Sequence, residues 1–299
     1  MRVPCSTSNL GSGFDTVGLA LDRYLEASFD PCDGDGLVLR REGTLAVLDE
    51  QDGPDLVARM FEAQLTAVGI TPEGILRLTS TVPVARGLGS SSTAVLAGFD
   101  LARAVQDLPR DDEAAFAAAL AHEGHGDNAA PCLYGGLRAV AHTPEGPIVM
   151  SLTLSEAVGF AYAAPASRLS TGTARDVLPK QVSHKTAALS LGRLAALIQG
   201  LAAGDPELIR VGMRDELHVP HRLSMIPSAP EAMSAAHDAG AWAVTISGAG
   251  SGLIAMCPPD RADEVGRAMR EAFDGGIDDP ECVGFGLRPD FEGLQRLPS

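Results

Sequence analysis

Lysine is nearly absent. Of the 23 basic residues in 299, only Lys180 and Lys185 are lysines, and the rest are arginines. A P-loop requires a lysine directly behind its glycine-rich turn, and neither lysine occupies such a place, so a Walker-type NTPase is excluded. Aromatic residues are also scarce, at 4%, and the chain carries 39 acids for a formal net charge of −16. That combination lacks the basic, aromatic-studded face of a nucleic-acid binder. No run approaches 18 uninterrupted apolar residues, so no membrane partner is expected. The opening Met1-Arg2-Val3-Pro4 does not read as a secretory signal. Five cysteines, odd in number and never spaced C-x-x-C, argue for the reduced thiols of a cytoplasmic protein rather than a disulfide framework or zinc ribbon.

What is present is core material. Hydrophobic residues make up 45% of the chain, and a length of 299 suits two domains. Alternation predicts a strand over 75–82, and Ala- and Leu-rich stretches predict helices over 93–105 and 112–122. A strand pair is expected over 137–142 and 147–154, a strand over 158–164 and a helix over 185–203. The tail reads helix 230–239, strand 242–247, strand 253–257, helix 260–273, strand 282–287, an α+β order rather than a βα repeat. The boundary between halves is placed near 155. Glycine clusters fall in both halves, which puts a shared site in the cleft between them.

The most informative stretch is Pro83-Val84-Ala85-Arg86-Gly87-Leu88-Gly89-Ser90-Ser91-Ser92-Thr93, between a predicted strand and helix. Glycines let a ligand approach the main chain, and hydroxyls on a helix's first turn sit where free N–H groups and the dipole favour an anion. A serine-capped glycine turn is the plainer reading of G-x-G alone. Three serines and a threonine directly behind it favour phosphate. His122-Glu123-Gly124-His125 is one residue short of the zincin H-E-x-x-H, so zinc is not expected.

The run P-x-x-x-G-L-G-S-S resembles the ATP motif of the GHMP kinases, which bind ATP without a Walker lysine. Asn9-Leu10-Gly11-Ser12-Gly13-Phe14-Asp15 is similar to the first motif of the homoserine-kinase branch. Glu123-Gly124-His125-Gly126-Asp127-Asn128-Ala129-Ala130-Pro131 resembles that branch's E-G-H-P-D-N-x-A-P, with Gly126 for proline. Ser170-Thr171 through Pro179 and Asp215 through Arg222 look like its S-T-x-x-A-R-x-x-L-P and D-x-[IL]-H-x-P-x-R elements. Ser247-Gly248-Ala249-Gly250-Ser251 resembles the last GHMP motif, with Ser251 for the usual proline and hence a less rigid loop expected.

The resemblance implies a two-domain α+β GHMP kinase fold. Residues 1–155 would form the ATP-binding half, like ribosomal protein S5 domain 2, and 156–299 a ferredoxin-like half. It implies ATP and L-homoserine as substrates, Mg²⁺ as cofactor, and a homodimer, a common state in the family. Residues 83–93 would cradle the triphosphate, with Ser91 and Glu123 at the metal. Asn9, Asp15, His125, Asp127, Arg175, Arg222 and Gly248 would bind the amino acid, the two arginines gripping its carboxylate and Asp15 its ammonium. Asp127 or Asn128 would orient the hydroxyl, with no obligatory general base. Another GHMP alcohol kinase of the mevalonate type and an inactive GHMP-fold binding protein are the alternatives.

Overall fold

A strand of 15 residues, β2 (Val17–Pro31), organises the first half. Antiparallel partners are β1 (Arg2–Ser8) along Gly18–Glu26, β4 (Gly74–Ser80) along Leu25–Pro31, and β5 (Leu137–Thr143) along Val17–Leu19. Edge strands β3 (Leu37–Gly43), parallel to β4, and β6 (Gly146–Leu152), antiparallel to β5, complete a six-stranded sheet. The structure is a computed structural model that describes residues 1–297 apart from 33, 35, 49–54, 276 and 278.

Four helices cover this sheet. In α1 (Leu56–Thr66), Asp55 caps the first turn and Val57, Phe61 and Leu65 form the buried stripe at i, i+4, i+8. Helix α2 (Ser90–Ala104) packs against it at Gly98, where a Cβ would lie 2.5 Å from the Val57 carbonyl oxygen. Helix α3 (Asp112–Glu123) opens on Asp111, Asp112 and Glu113, which suit its positive end, and stops at the left-handed Gly124. A short α4 (Ala129–Tyr134) follows. Helix α2 starts at Ser90, earlier than the expected 93, because Gly89 takes the left-handed N-cap conformation. Residues 2–66, read above mainly as motif, hold three strands and a helix.

The second sheet, β7 (Gly159–Ala164), β8 (Ala243–Ile246), β9 (Leu253–Cys257) and β10 (Val283–Leu287), is antiparallel in the order β10-β7-β9-β8. Strand β7 is buried on both faces. Ala161 and Ala163 pack toward helices over Ala229–Asp238 and Ala262–Asp274, while Phe160 and Tyr162 join Leu19, Leu21 and Leu137 of the first sheet in a shared core. Thus the two halves meet through a continuous apolar layer. Between β7 and β8 run α5 (Thr171–Asp176), α6 (His184–Ala203), α7 (Pro206–Gly212) and α8 (Val219–Arg222). Helix α9 (Ala229–Asp238) leads into β8, and α10 (Ala262–Asp274) connects β9 to β10.

By length and composition α6 could cross a membrane. It instead forms a tight hairpin with α7, where a Cβ on Gly212 would meet the Leu197 Cα at 2.5 Å, and it sends Leu197 and Leu201 into the shared core. The C-terminal residues return to the first sheet. Gln295 bridges to Arg2, Leu294 is buried in the first core, and Arg296 holds Asp100 of α2 at 2.7 and 2.9 Å.

Candidate active site

Three loops meet at the sheet ends. The 83–89 loop turns left-handed at Ala85, Gly87 and Gly89 before α2 begins. At Gly87 a Cβ would sit 1.9 Å from the Ser247 carbonyl oxygen, so only glycine lets the two halves' loops touch here. The contact is bonded as well as tight. Ser247 Oγ donates to the Gly87 carbonyl at 2.6 Å and is left to accept from Thr7 Oγ1 at 2.9 Å, and Gly252 N donates to the Arg86 carbonyl at 3.2 Å.

Ser90, Ser91 and Ser92 form the first turn of α2, whose first i→i−4 bond is Thr93 N to the Gly89 carbonyl at 3.0 Å. The N–H groups of the three serines therefore have no acceptor within the helix. Ser91 Oγ donates to Glu123 Oε1 at 2.5 Å and Ser92 Oγ to the same oxygen at 3.1 Å. Ala85, Gly87, Gly89, Ser90, Ser91 and Glu123 line one wall of the cleft. Val84 lines an adjoining recess of about 370 Å³ that is mostly apolar, with Leu45, Val57 and Val82, and that also holds Arg41 and Arg168 on its lining.

Other members of the 83–93 run do not face the cleft. Arg86 turns into the second half, donating to the Glu281 carbonyl at 2.5 Å and the Ala166 carbonyl at 3.0 Å. Leu88 is buried in the shared core, Pro83 is buried, and Thr93 bonds back to the Ser90 carbonyl. The arginine and leucine serve the packing of the loop rather than a ligand.

The opposite wall is built from charged side chains. Arg175 at the end of α5 holds both oxygens of Asp15, at 2.6 and 3.1 Å. Burial lowers the Arg175 pKa, but the hydrogen bond and charge of Asp15 outweigh it and hold the guanidinium above its ordinary value. So Asp15 and Arg175, expected to bind opposite ends of a ligand, bind each other here. Asn9, left-handed and buried, fixes this corner: its Oδ1 accepts from Asp15 N at 2.8 Å and its Nδ2 donates to the Gly248 carbonyl at 2.9 Å.

His125 Nδ1 lies 2.5 Å from Asp127 Oδ1, and both side chains are buried. Burial disfavours the imidazolium, yet the Asp127 hydrogen bond and charge together raise the His125 pKa. The remaining atoms, His125 Nε2 and Asp127 Oδ2, are buried without a hydrogen-bond partner. Ligating atoms of Asp15, His125 and Asp127 lie within 4.8 Å of one another. His122, by contrast, is exposed on α3, so the two histidines of the H-E-G-H string do not converge. Gly126, in place of proline, gives Phe116 room, since a Cβ there would be 2.8 Å from its Cζ.

Asn128 lines the cleft, but its amide is occupied: Nδ2 donates to Ser8 Oγ at 2.9 Å and Oδ1 accepts from Ser6 Oγ at 3.0 Å. Arg222 is only 1% exposed. Its Nε donates to the Ala174 carbonyl at 2.9 Å and its Nη1 reaches the Gly248 carbonyl at 3.4 Å. Burial, and then the charge of Arg175, lower its pKa. Ser251 is buried and its Oγ donates to the Ser167 carbonyl at 2.5 Å. A side-chain tether thus stands where rigidity was expected to be lost. Sequence reasoning quoted Phe14, Asp215 and His218 within motifs without assigning them roles. All three surround Arg222, and the D-x-x-H-x-x-x-R spacing was the available signal.

A glycine–serine loop feeding a helix N-terminus, closed by a loop from a second α+β half, is matched by two family models. GHMP kinases N-terminal domain covers residues 55–136 and GHMP kinases C-terminal covers 197–275. These place the chain among the GHMP kinases, with their N- and C-terminal domains.

Within that class several similar proteins share one name. The chain is 38% identical over 283 residues to a homoserine kinase of Prochlorococcus marinus subsp. pastoris, covering 92% of this chain and 88% of that one. It is 37% identical over 270 residues to the homoserine kinase of Thermus thermophilus, covering 90% of each. The crystal structure of homoserine kinase from Cytophaga hutchinsonii aligns with a TM-score of 0.81 at 27% identity, over 98% of this chain and 95% of that one. The chain belongs to the homoserine kinase family. A mevalonate kinase from L. major, at a TM-score of 0.70 and 15% identity over 96% of this chain and 95% of that one, shares the fold alone.

Proposed function

We propose that the protein transfers the γ-phosphoryl group of ATP to the side-chain hydroxyl of L-homoserine, giving O-phospho-L-homoserine on the route to threonine. The observation that carries this reading is the juxtaposition of two unlike walls. One offers free main-chain N–H groups and serine hydroxyls at the start of α2. The other offers Asp15, Arg175, His125, Asp127 and Arg222, charges of alternating sign within a few side chains. A zwitterionic amino acid answers the second wall end for end: its ammonium takes the Arg175 side of Asp15, and its carboxylate takes the freed Arg175 together with Arg222. A neutral sugar or a simple hydroxy acid would break that ion pair and replace only part of it.

In this reading the triphosphate lies along Gly87–Ser91, and the apolar recess beside Val84 and Val82 receives the nucleoside. The hydroxyl of Ser91 and the carboxylate of Glu123 are hard oxygen donors, side by side on the cleft wall, and fit Mg²⁺, which would neutralise charge on the phosphate oxygens. Asp127 has one carboxylate oxygen on His125 and one unpartnered, so it can accept a hydrogen bond from the substrate without being a base. Phosphoryl transfer through a loose transition state asks for positioning and charge neutralisation, and an early deprotonation of the alcohol gains little. We place the division between the halves near residue 155 and the protein in the reducing cytoplasm, in keeping with five free cysteines.

The test is ADP release measured with homoserine, threonine, mevalonate and galactose in turn. Turnover highest with homoserine is expected. Preference for mevalonate or galactose overturns the assignment.

A further inference from the structure

Behind Arg222 stands a layer that touches no expected ligand. The His218 ring is fully buried and stacks on Phe14, with centroids 5.0 Å apart and planes 21° apart. The guanidinium carbons of Arg222 and Arg175 lie 5.3 and 5.8 Å from the centroid of the same Phe14 ring. Thus one aromatic ring from the first half is shared by both arginines and the histidine of the second half.

The imidazole's orientation follows from its partners. Nε2 lies 3.1 Å from the Gly11 carbonyl oxygen and 3.7 Å from Asp215 Oδ2, both acceptors, which assigns the proton to Nε2. Nδ1 is then a bare lone pair, 3.4 Å from Arg222 Nη1. Asp215 is itself immobilised, accepting from the main-chain N–H groups of Leu217, His218 and Val219 at 2.9, 2.7 and 2.7 Å.

We propose that His218 is a positioning residue for Arg222: as a neutral Nδ1 acceptor, clamped on Phe14, it aims the guanidinium at the substrate carboxylate. This rests on the reading of Arg222 as a carboxylate ligand. The charged groups facing His218 are Asp215 on its own segment, Arg222 one helical turn on, and Asp15 from the loop after β1. Protonating Nδ1 would set a cation against the Arg222 guanidinium, so the neutral state is part of the device. Burial, reinforced by Arg222 against the pull of Asp215, keeps the imidazole pKa below its ordinary value.

The experiment compares His218→Leu, His218→Asn and Phe14→Leu, each confirmed folded by its thermal transition, with homoserine and ATP varied separately. His218→Leu should raise the homoserine KM roughly tenfold to a hundredfold, the worth of a hydrogen bond to a charged group, with the ATP KM little changed. His218→Asn, which restores an acceptor near Nδ1, should recover most of that loss. The wild-type rise in homoserine KM toward acid pH should vanish in His218→Asn, whose amide does not titrate. If His218→Leu does not fold, half-buried Phe14→Leu carries the KM comparison. Equal effects on both KM values, failure of Asn to rescue, or an acid limb that survives in His218→Asn overturns the proposal. An Arg222→Leu variant with an unchanged homoserine KM overturns the underlying carboxylate reading instead, so the two failures are distinct.

Discussion

The two walls of the cleft solve the problem of binding anions in opposite ways. Around Gly87–Ser91 the working groups are main-chain N–H dipoles at a helix start, with hydroxyls at their side, while Arg86 turns away to Glu281 and Ala166 and Arg41 and Arg168 stand in the adjoining recess. Across the cleft, around Asp15 and Arg222, the working groups are full charges, each held by a partner of opposite sign or by carbonyl oxygens. Main-chain dipoles are fixed once the loop folds, so the first wall depends on backbone shape. Side-chain charges can exchange partners, so the second depends on ion pairing. This difference also explains how a chain of net charge −16 can handle ATP and a carboxylate. Neither wall needs bulk positive charge.

If the first wall is a matter of shape, a single Cβ should break it. Gly87→Val places that atom 1.9 Å from the Ser247 carbonyl oxygen and forces a β-branched residue to a φ of 80°. A destabilisation above about 3 kcal/mol is expected, with loss of activity, measured by thermal unfolding and turnover. Gly192→Ala in α6, where nothing lies within 4 Å of the added atom, is the matched control. It should leave stability equal or higher by about 0.5–1 kcal/mol.

The second wall should fail selectively. Truncating Arg222 to leucine removes a buried cation that faces the Gly248 corner. A roughly hundredfold rise in homoserine KM is expected, the size seen when one partner of a buried charged contact is lost, while the ATP KM hardly moves. Equal rises in both would erase the distinction between the walls.

The legible part of this molecule was the part written in short-range strings. Ser90–Ser92 at a helix start, the Gly248 loop between two strands and the tail order of α9, β8, β9, α10 and β10 all follow from local glycine placement and periodicity. Strand β2 was not read because its first five residues are buried on both faces and its later ones alternate, so no single period runs through it. The Asp15–Arg175 pair spans 160 positions, and no local pattern announces that two expected ligand groups satisfy each other first. The direction of Arg86 is hidden for a related reason: proximity in sequence to the glycine–serine loop says nothing about which way a long side chain turns. His218 was legible as a motif letter, but its neutrality is set by burial and its tautomer by the Gly11 carbonyl, two hundred positions earlier.

Asp127 separates positioning from proton transfer on the side-chain wall. Asp127→Asn keeps the shape and one acceptor but removes the charge that His125 meets at 2.5 Å. Loss of a hydrogen bond to a charged group predicts a fall in kcat of about tenfold, with turnover still measurable in a burst-free steady-state assay. Complete loss of turnover in a folded, ATP-binding variant would instead make Asp127 an obligatory base.

The smallest effects should appear in pH profiles, because two buried histidines on the amino-acid wall are shifted in opposite senses. His125 is raised from 6.5 by Asp127 against the cost of its burial, so its contribution is complete below 6.5 and is lost as pH rises through its elevated value. His218 is lowered from 6.5 by burial, so its contribution is complete above 6.5 and is lost as pH falls through its depressed value. Between those limits one histidine is a cation and the other neutral, the state in which the wall is correctly charged. Homoserine kcat/KM should therefore be bell-shaped, and His125→Gln should flatten the alkaline limb while leaving the acid limb in place. The main-chain wall, Gly87–Ser91 with Glu123, carries no histidine, so the ATP KM in His125→Gln should track the wild type across the same range. A His125→Gln profile that keeps its alkaline limb would mean that the imidazolium is packing rather than part of the substrate's charge environment.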